Sequence, residues 1–230
     1  MNLAISGTYS SGKTTTTLAL AYLTGLPRTH AKTMREILPD ALPGKRLEDC
    51  TPPELFQLGM RRFAERAVHE SHLPNGFISD GSSLHEWVYG KIRIRVGINP
   101  NDSVGMDRDV EKNTSMVFFE EVIDNMGAVM KQHAKHNYDE FIHLPVEFPL
   151  VADGHRPVSE RFRRLSDELL LETLDELEIK YHIVSGNVQE RLEKIMKIYN
   201  LKPVMDIDKA IALANEEVKK MQIEIEAASK

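Results

Sequence analysis

Apolar residues come in two textures along this chain: short unbroken runs, and longer stretches where they return every three or four positions. The runs Leu3-Ala4-Ile5, Phe77-Ile78, Phe141-Ile142 and Tyr181 to Val184 are too short and continuous for amphipathic helices. They read as buried strands over 2–6, 77–80, 138–144 and 181–184. The periodic stretches read as helices. Residues 13–24 form the first, and Gly25 and Pro27 end it. Thr29 to Leu38 leads into a short helix that Pro39 terminates, and Pro43-Gly44 marks a turn. After Thr51-Pro52-Pro53, a cap followed by prolines, 54–72 has helical spacing. Its Leu55, Leu58, Arg62, Glu65 and His69 cannot all face inward, so one side is wet. Further helices are expected over 84–96, 107–136 (one or two), 158–177, 188–199 and 206–230. Within 107–136, Val110, Met116, Val117, Phe119, Val122, Ile123, Met126, Val129 and Met130 recur near helical spacing, and the methionines suit core packing. In the last helix Ile207, Ile211, Ala214, Val218, Met221 and Ile225 share a stripe. That stripe suits packing on the domain, with a homodimer contact as the alternative.

Strands separated by helices of this length imply an α/β architecture, a parallel sheet covered on both faces. The 230 residues accommodate one such domain with helical additions. The expected division is a main domain over 1–203 and an amphipathic helix over 204–230. Within the domain a helix would occupy 52–72, a helical insert 91–136 and a lid-like loop 150–165. Apolar residues make up 41% and the net charge is −6, so the basic face of a nucleic-acid binder is not expected. The single cysteine, Cys50, excludes an internal disulfide and fits a reducing compartment. It lies in a polar loop with no histidine nearby in sequence, which argues against a catalytic thiol. No apolar run approaches the length of a membrane span, and a functional loop beginning at residue 7 leaves no room for a signal peptide. A cytoplasmic protein with no membrane partner is expected.

That loop carries the chemistry. Gly7-Thr8-Tyr9-Ser10-Ser11-Gly12-Lys13-Thr14 fits the phosphate-loop (Walker A) pattern G-x-x-x-x-G-K-[ST], between the first strand and the first helix, the context it requires. Gly7, Ser10, Ser11, Gly12, Lys13, Thr14 and Thr15 would form the cradle for ATP. Lys13 would place a charge on the β/γ oxygens, and Thr14 a hydroxyl on Mg²⁺. Asp80 closes the strand 77–80, in the crevice where such sheets bind ligands. It would hold Mg²⁺ with Thr14 or take the proton of an attacking hydroxyl, the bland alternative being a cap for the next helix. The segment Val151 to Pro157, then Glu160-Arg161-Phe162-Arg163-Arg164, suits a lid in which Arg156 and Arg161 brace the transferring phosphoryl group. Arg163 and Arg164 read instead as a solvated helix face paired with Asp167 and Glu168. On the helix 52–72, Arg61, Arg62 and Arg66 are candidates for an anionic acceptor. His85, Trp87 and Tyr89 could line the acceptor pocket or pack in the core.

The chain resembles the ribosylnicotinamide kinase domain of the bacterial NAD-biosynthesis regulator and its wider family of small P-loop ATPases. The resemblance spans about 2–199 and rests on several segments. They are Ile5-Ser6-Gly7 with Ser10 to Thr15, Arg35-Glu36, Leu47-Glu48-Asp49 with the helix from Pro52, Phe148 to Arg156, and Tyr181 to Asn187 with Glu190-Arg191. It implies a three-layer P-loop NTPase fold, an arginine-bearing lid, and an adenine side that includes Asn187. The chain departs from the family where the second strand ends Asp80-Gly81-Ser82 rather than Asp-Thr-Asp, near Arg61 or Arg62 where a glutamine is usual, and in a longer insert over 91–135. Acceptor identity would be rewritten at these places.

The expected activity is therefore transfer of the γ-phosphate of Mg-ATP to a small acceptor, a nucleoside, nucleotide or related metabolite of primary or secondary metabolism. The alternative is an ATP-hydrolysing switch acting on a protein partner. A guanine-reading Asn-Lys-x-Asp segment is missing, and Asp102-Ser103-Val104-Gly105 has only the common D-x-x-G form. An AAA-type motor is disfavoured because Gly81, not glutamate, follows Asp80.

Overall fold

The computed structural model describes residues 1–97, 108–149 and 159–228. Strands β1 (Asn2–Ser6), β2 (Arg28–Thr29), β3 (Phe77–Asp80), β4 (Glu140–His143) and β5 (Tyr181–Ile183) form one sheet in the order β2-β3-β1-β4-β5. Every pairing is parallel. The strands alternate sides as a strand buried on both faces must. Ala4, Phe77 and Phe141 enter one core, while their neighbours Ile5, Ile78 and Ile142 enter the other.

The first core is closed by α4 (Leu84–Val96), α5 (Thr114–Asn137) and α6 (Glu160–Glu176), through Trp87, Ile123, Met126, Met130, Leu170 and Leu174. The second is closed by α1 (Lys13–Thr24), α7 (Val188–Ile198) and α8 (Ile207–Ala228), through Leu18, Leu20, Leu23, Leu192, Ile195, Ala210 and Ala214. The α8 stripe expected from Ile207 to Met221 packs on the domain, chiefly against α1. The resulting three-layer α/β fold with a parallel sheet is the one the strand–helix alternation implies. Helices α2 (Met34–Ala41) and α3 (Pro52–Ser71) follow β2 and pack together through Ile37, Leu38 and Leu58.

Three expectations change. Pro39 does not end a helix; it lies inside α2, which the Thr33/Glu36 capping box anchors from the other end. Residues 28–29 are not part of a helical lead-in but form the edge strand β2, too short to show periodicity. Helix α5 begins at Thr114 rather than 107, because Asn113 turns the chain and its side chain accepts from the Met116 N–H at 2.9 Å.

Candidate functional site

The carboxyl ends of β1 and β3 lie side by side, with Ile5 opposite Asp80 and the Gly81 N–H donating to the Ile5 carbonyl at 3.0 Å. Strand order reverses at β1, so ligands of such a sheet meet the protein at this edge. The phosphate loop leaves β1 here. Gly7 has φ +131°, and a Cβ on it would stand 2.5 Å from the Leu144 carbonyl oxygen. Ser10 and Gly12 follow with φ +59° and +83°, curling the backbone into a nest. Ser11 Oγ and Lys13 Nζ each donate to the Thr8 carbonyl at 2.9 Å, tying the curl across its mouth.

Helix α1 starts at Gly12, which offers no capping side chain. By contrast Thr33, Asn113, Ser159 and Asn187 cap α2, α5, α6 and α7. An uncapped helix start behind a nest leaves N–H groups for an anion. The loop thus fits a polyphosphate. Thr14 and Thr15 sit half-buried in the first turn of α1. Among the described residues no cluster of three or more His, Cys, Asp or Glu could hold a metal. A Mg²⁺ ion on a nucleotide needs only one or two protein oxygens, and the side chains of Thr14 and Asp80 carry oxygens of that hard type.

Two side chains that the motif does not include brace the loop. His85, buried in α4, accepts the Ser82 N–H on Nδ1 at 3.0 Å. Its proton is therefore on Nε2, which donates to the Gly7 carbonyl at 3.1 Å. Burial, then the Lys13 ammonium and the Arg66 guanidinium, push the imidazole well below the usual histidine range, so it is neutral. Arg191 of α7, 1% exposed, donates from Nη1 to the Ser11 carbonyl at 2.6 Å and from Nη2 to Glu147 at 2.9 Å. The Gly186 N–H on Glu147, followed by Arg191, holds that carboxyl below its ordinary range. A third tie is aromatic: Tyr9 of the loop stacks on Tyr89 of α4 at 4.6 Å, and lies 6.0 Å from Phe162 of α6.

Asp80 caps nothing. Its Oδ2 pairs with Arg28 Nη2 at 3.2 Å, while its carbonyl accepts from Arg66 at 3.1 Å. The α3 arginines are largely engaged with protein. Arg66 is buried, donating to Ser79 Oγ at 2.7 Å with Glu70 at 3.8 Å. Arg62 pairs with Glu86 of α4 at 3.0 Å, and Arg61 is exposed. Glu86 is 2% exposed at its side chain, and its Oε1 has no partner among the described residues.

Of the lid, Arg156 and 150–158 lie outside the described residues, as does Asp102 to Gly105. Arg161 pairs with Asp109, which also receives Arg95 at 3.1 Å. Arg164 pairs with Glu168 at 2.8 Å as expected. Arg163 overturns its expectation: it is 1% exposed, and Nη2 donates to the Phe148 carbonyl at 2.5 Å, because its side of α6 faces the domain. Asn187 caps α7, its Oδ1 accepting the Glu190 N–H at 3.0 Å. Sequence reasoning placed Arg191 only by resemblance and missed Arg28, Glu86 and Glu147 altogether. No local pattern marks them.

The parallel sheet and the phosphate loop define a P-loop NTPase fold. The chain belongs to the AAA domain family, whose model matches residues 2–191. That membership assigns the domain; Gly81 still stands after Asp80, where a motor would carry glutamate. Among solved structures the chain is similar to deoxyadenosine kinase from M. mycoides with bound dATP, at 16% identity and a TM-score of 0.57, covering 87% of this chain and 100% of that one. The same enzyme with bound dCTP gives 16% identity and a TM-score of 0.53, covering 87% and 99%. Identity this low shows the shared fold. A search of curated proteins returned no significant match.

Proposed function

We propose that the chain is an ATP-dependent phosphotransferase whose acceptor is a small nucleoside-like molecule. The observation that carries this reading is Glu86. A buried carboxylate oxygen without a hydrogen-bond donor costs about 1–3 kcal/mol, more for a charged group, so its lack of a partner needs a reason. Glu86 is bound to Arg62, and one turn further along α3 Arg66 holds the carbonyl of Asp80. An acceptor hydroxyl or amine that reached Oε1 on closing of the site would satisfy it, on the side of α3 whose Arg62 and Arg66 hold Glu86 and the Asp80 carbonyl. A hydrolytic switch would have no use for such a subsite.

In this reading the loop cradles ATP, and Mg²⁺ when bound draws charge from the β/γ oxygens. Lys13 adds the positive charge that the loop nest and the α1 start already favour. Thr14 and Asp80 offer oxygens to the metal. Asp80 also orients or deprotonates the acceptor hydroxyl, Arg156 and Arg161 close on the phosphoryl group, and Asn187 lies on the adenine side. The related kinase structures, with dATP and dCTP bound, agree with a nucleoside-like acceptor. Arg62 and Arg66 already face carboxylates, which favours an acceptor that is uncharged at that end over an anionic one.

One observation favours the switch instead. An open apolar groove of about 420 Å³ runs between α3 and α5, lined by Phe56, Met60, Phe63, Phe118 and Val129, with Phe118 65% exposed. Surfaces of this kind receive proteins. ADP release from Mg·ATP, alone and with nucleosides, nucleoside monophosphates and nicotinamide riboside, separates the two. Stimulation by one acceptor, with its phosphorylated product seen by mass, is expected. Hydrolysis indifferent to every acceptor overturns the kinase.

A further inference from the structure

Arg28 stands between two carboxylates. Its Nη2 is 3.2 Å from Asp80 Oδ2, and its Nη1 is 3.5 Å from Oε1 of Glu217 on α8. Arg28 and Asp80 are each only 10% exposed at the side chain, while Glu217 is 36% exposed. The backbone under Arg28 is fixed: it pairs in register with Ile78, whose N–H donates to the Pro27 carbonyl at 2.9 Å. Glu217 is fixed as well, because Tyr22 of α1 donates its hydroxyl to the other oxygen, Oε2. The Nε of Arg28 is buried without a partner among the described residues, as are those of Arg66, Arg163 and Arg191, so its two carboxylate contacts are what place the guanidinium.

We propose that Arg28 is a positioning residue for the Mg²⁺-holding carboxylate Asp80, and that Glu217 sets how tightly it holds. This rests on the reading of Asp80 as a metal ligand in a kinase. A guanidinium shared by two carboxylates divides its attraction between them. Charge given to Glu217 is withdrawn from Asp80, and an arriving cation competes only with what remains. Arg28 also fixes the rotamer of Asp80, which points the carboxylate. Helix α8 thereby acts on the site through Arg28.

The consequence is a pair of opposite shifts. In Glu217→Gln the whole of Arg28 falls to Asp80, so the Mg²⁺ midpoint for ADP binding rises by about two- to fivefold, the scale of a half-exposed ion pair. In Arg28→Met the competitor is gone and the midpoint falls, while kcat drops about tenfold or more as Asp80 loses its orientation. Arg28→Lys restores the charge and brings the midpoint back toward the wild-type value. The measurement is a Mg²⁺ titration of ADP binding by calorimetry on the full chain, which needs no turnover, with Asp80→Asn as the variant that must raise the midpoint. Shifts of the same sign in the two main variants, or none, overturn the proposal and leave Arg28 as a tie between α8 and the sheet. If Arg28→Met does not fold, Glu217→Gln decides alone, since a mere tie predicts no midpoint change. An inactive wild type that still shows the opposite shifts would sink the kinase and spare the relay. An active wild type without them would do the reverse.

Discussion

Arg191→Ala tests whether the phosphate loop depends on α7. The side chain is 1% exposed and makes two bonds, to the Ser11 carbonyl at 2.6 Å and to Glu147 at 2.9 Å. The first joins a charged donor to a carbonyl that stays buried when the donor is removed, and such a loss costs about 1.5–3 kcal/mol. The second reaches a carboxylate 31% exposed, which water can solvate in its place, so it adds at most about 1 kcal/mol. Together these give about 2–4 kcal/mol. For a chain of this size that is a fall in Tm of roughly 5–15 °C. Arg191→Lys keeps the charge but not the fork that spans both acceptors, and should recover less than half of the loss. Urea unfolding of the three proteins gives the stability term, and calorimetric titration with Mg·ATP gives the functional one. A loop released at Ser11 should bind ATP about tenfold more weakly, the effect of losing one charge-assisted contact. A change in stability below about 0.5 kcal/mol, within the range of ordinary surface substitutions, would refute the buried bond. Lost stability with unchanged ATP affinity would refute its hold on the loop.

Gly127→Ala should destabilise by about 1–2 kcal/mol or more although alanine is the better helix former, because the new Cβ lies directly against Cδ1 and Nε1 of the buried Trp87 and 2.9 Å from its Cε2; a raised melting temperature would contradict the α4–α5 packing. His30, His85 and His133 all have pKa values lowered chiefly by burial, so the unfolded chain binds more protons than the folded one below its own value of about 6.5. Stability should therefore be complete above that pH and decline as pH falls through it, and a urea midpoint flat from pH 7 to 5 would count against neutral buried histidines. Lys13→Ala should abolish transfer while leaving the far-ultraviolet dichroism unchanged. Asp80→Asn should lose about two orders of magnitude in kcat and still bind ATP, and near-normal turnover would reduce Asp80 to an ion-pair partner of Arg28.

What the sequence made legible was local. The phosphate loop is eight consecutive residues, and its strand and helix adjoin it, so motif and context are read together. Asp80 was legible because a carboxylate ending an apolar run stands out. Arg191 meets Ser11 across 180 positions, Glu86 meets Arg62 across 24, and Arg28 meets Asp80 across 52. In each case only the folded arrangement of helices and sheet brings the partners together. Arg163 misled because its i+4 neighbour is acidic, as on a solvated helix, while the side it occupies is fixed by how α6 meets the sheet. Strand β2 escaped because two residues carry no period. His85 was seen as either lining a pocket or packing in the core; it is buried, and it spends both ring nitrogens on backbone, of the phosphate loop at Gly7 and of the turn after β3 at Ser82.

The position of α8 has a bearing on how the chain reaches this state in a cell. Helix α1 (Lys13–Thr24) is made well before α8 (Ile207–Ala228), which closes its outer side. Ribosomes add about 5–20 residues per second, so α1 waits on the order of ten seconds or more for its cover. Through that interval apolar side chains of α1 that end in the second core are open to chaperones and to other nascent chains. The loop that opens α1 is made together with it, whereas Arg191 and Glu217 follow only with α7 and α8. Nucleotide present during synthesis would thus meet an early, loosely held loop, and should favour productive folding only after α7 has emerged.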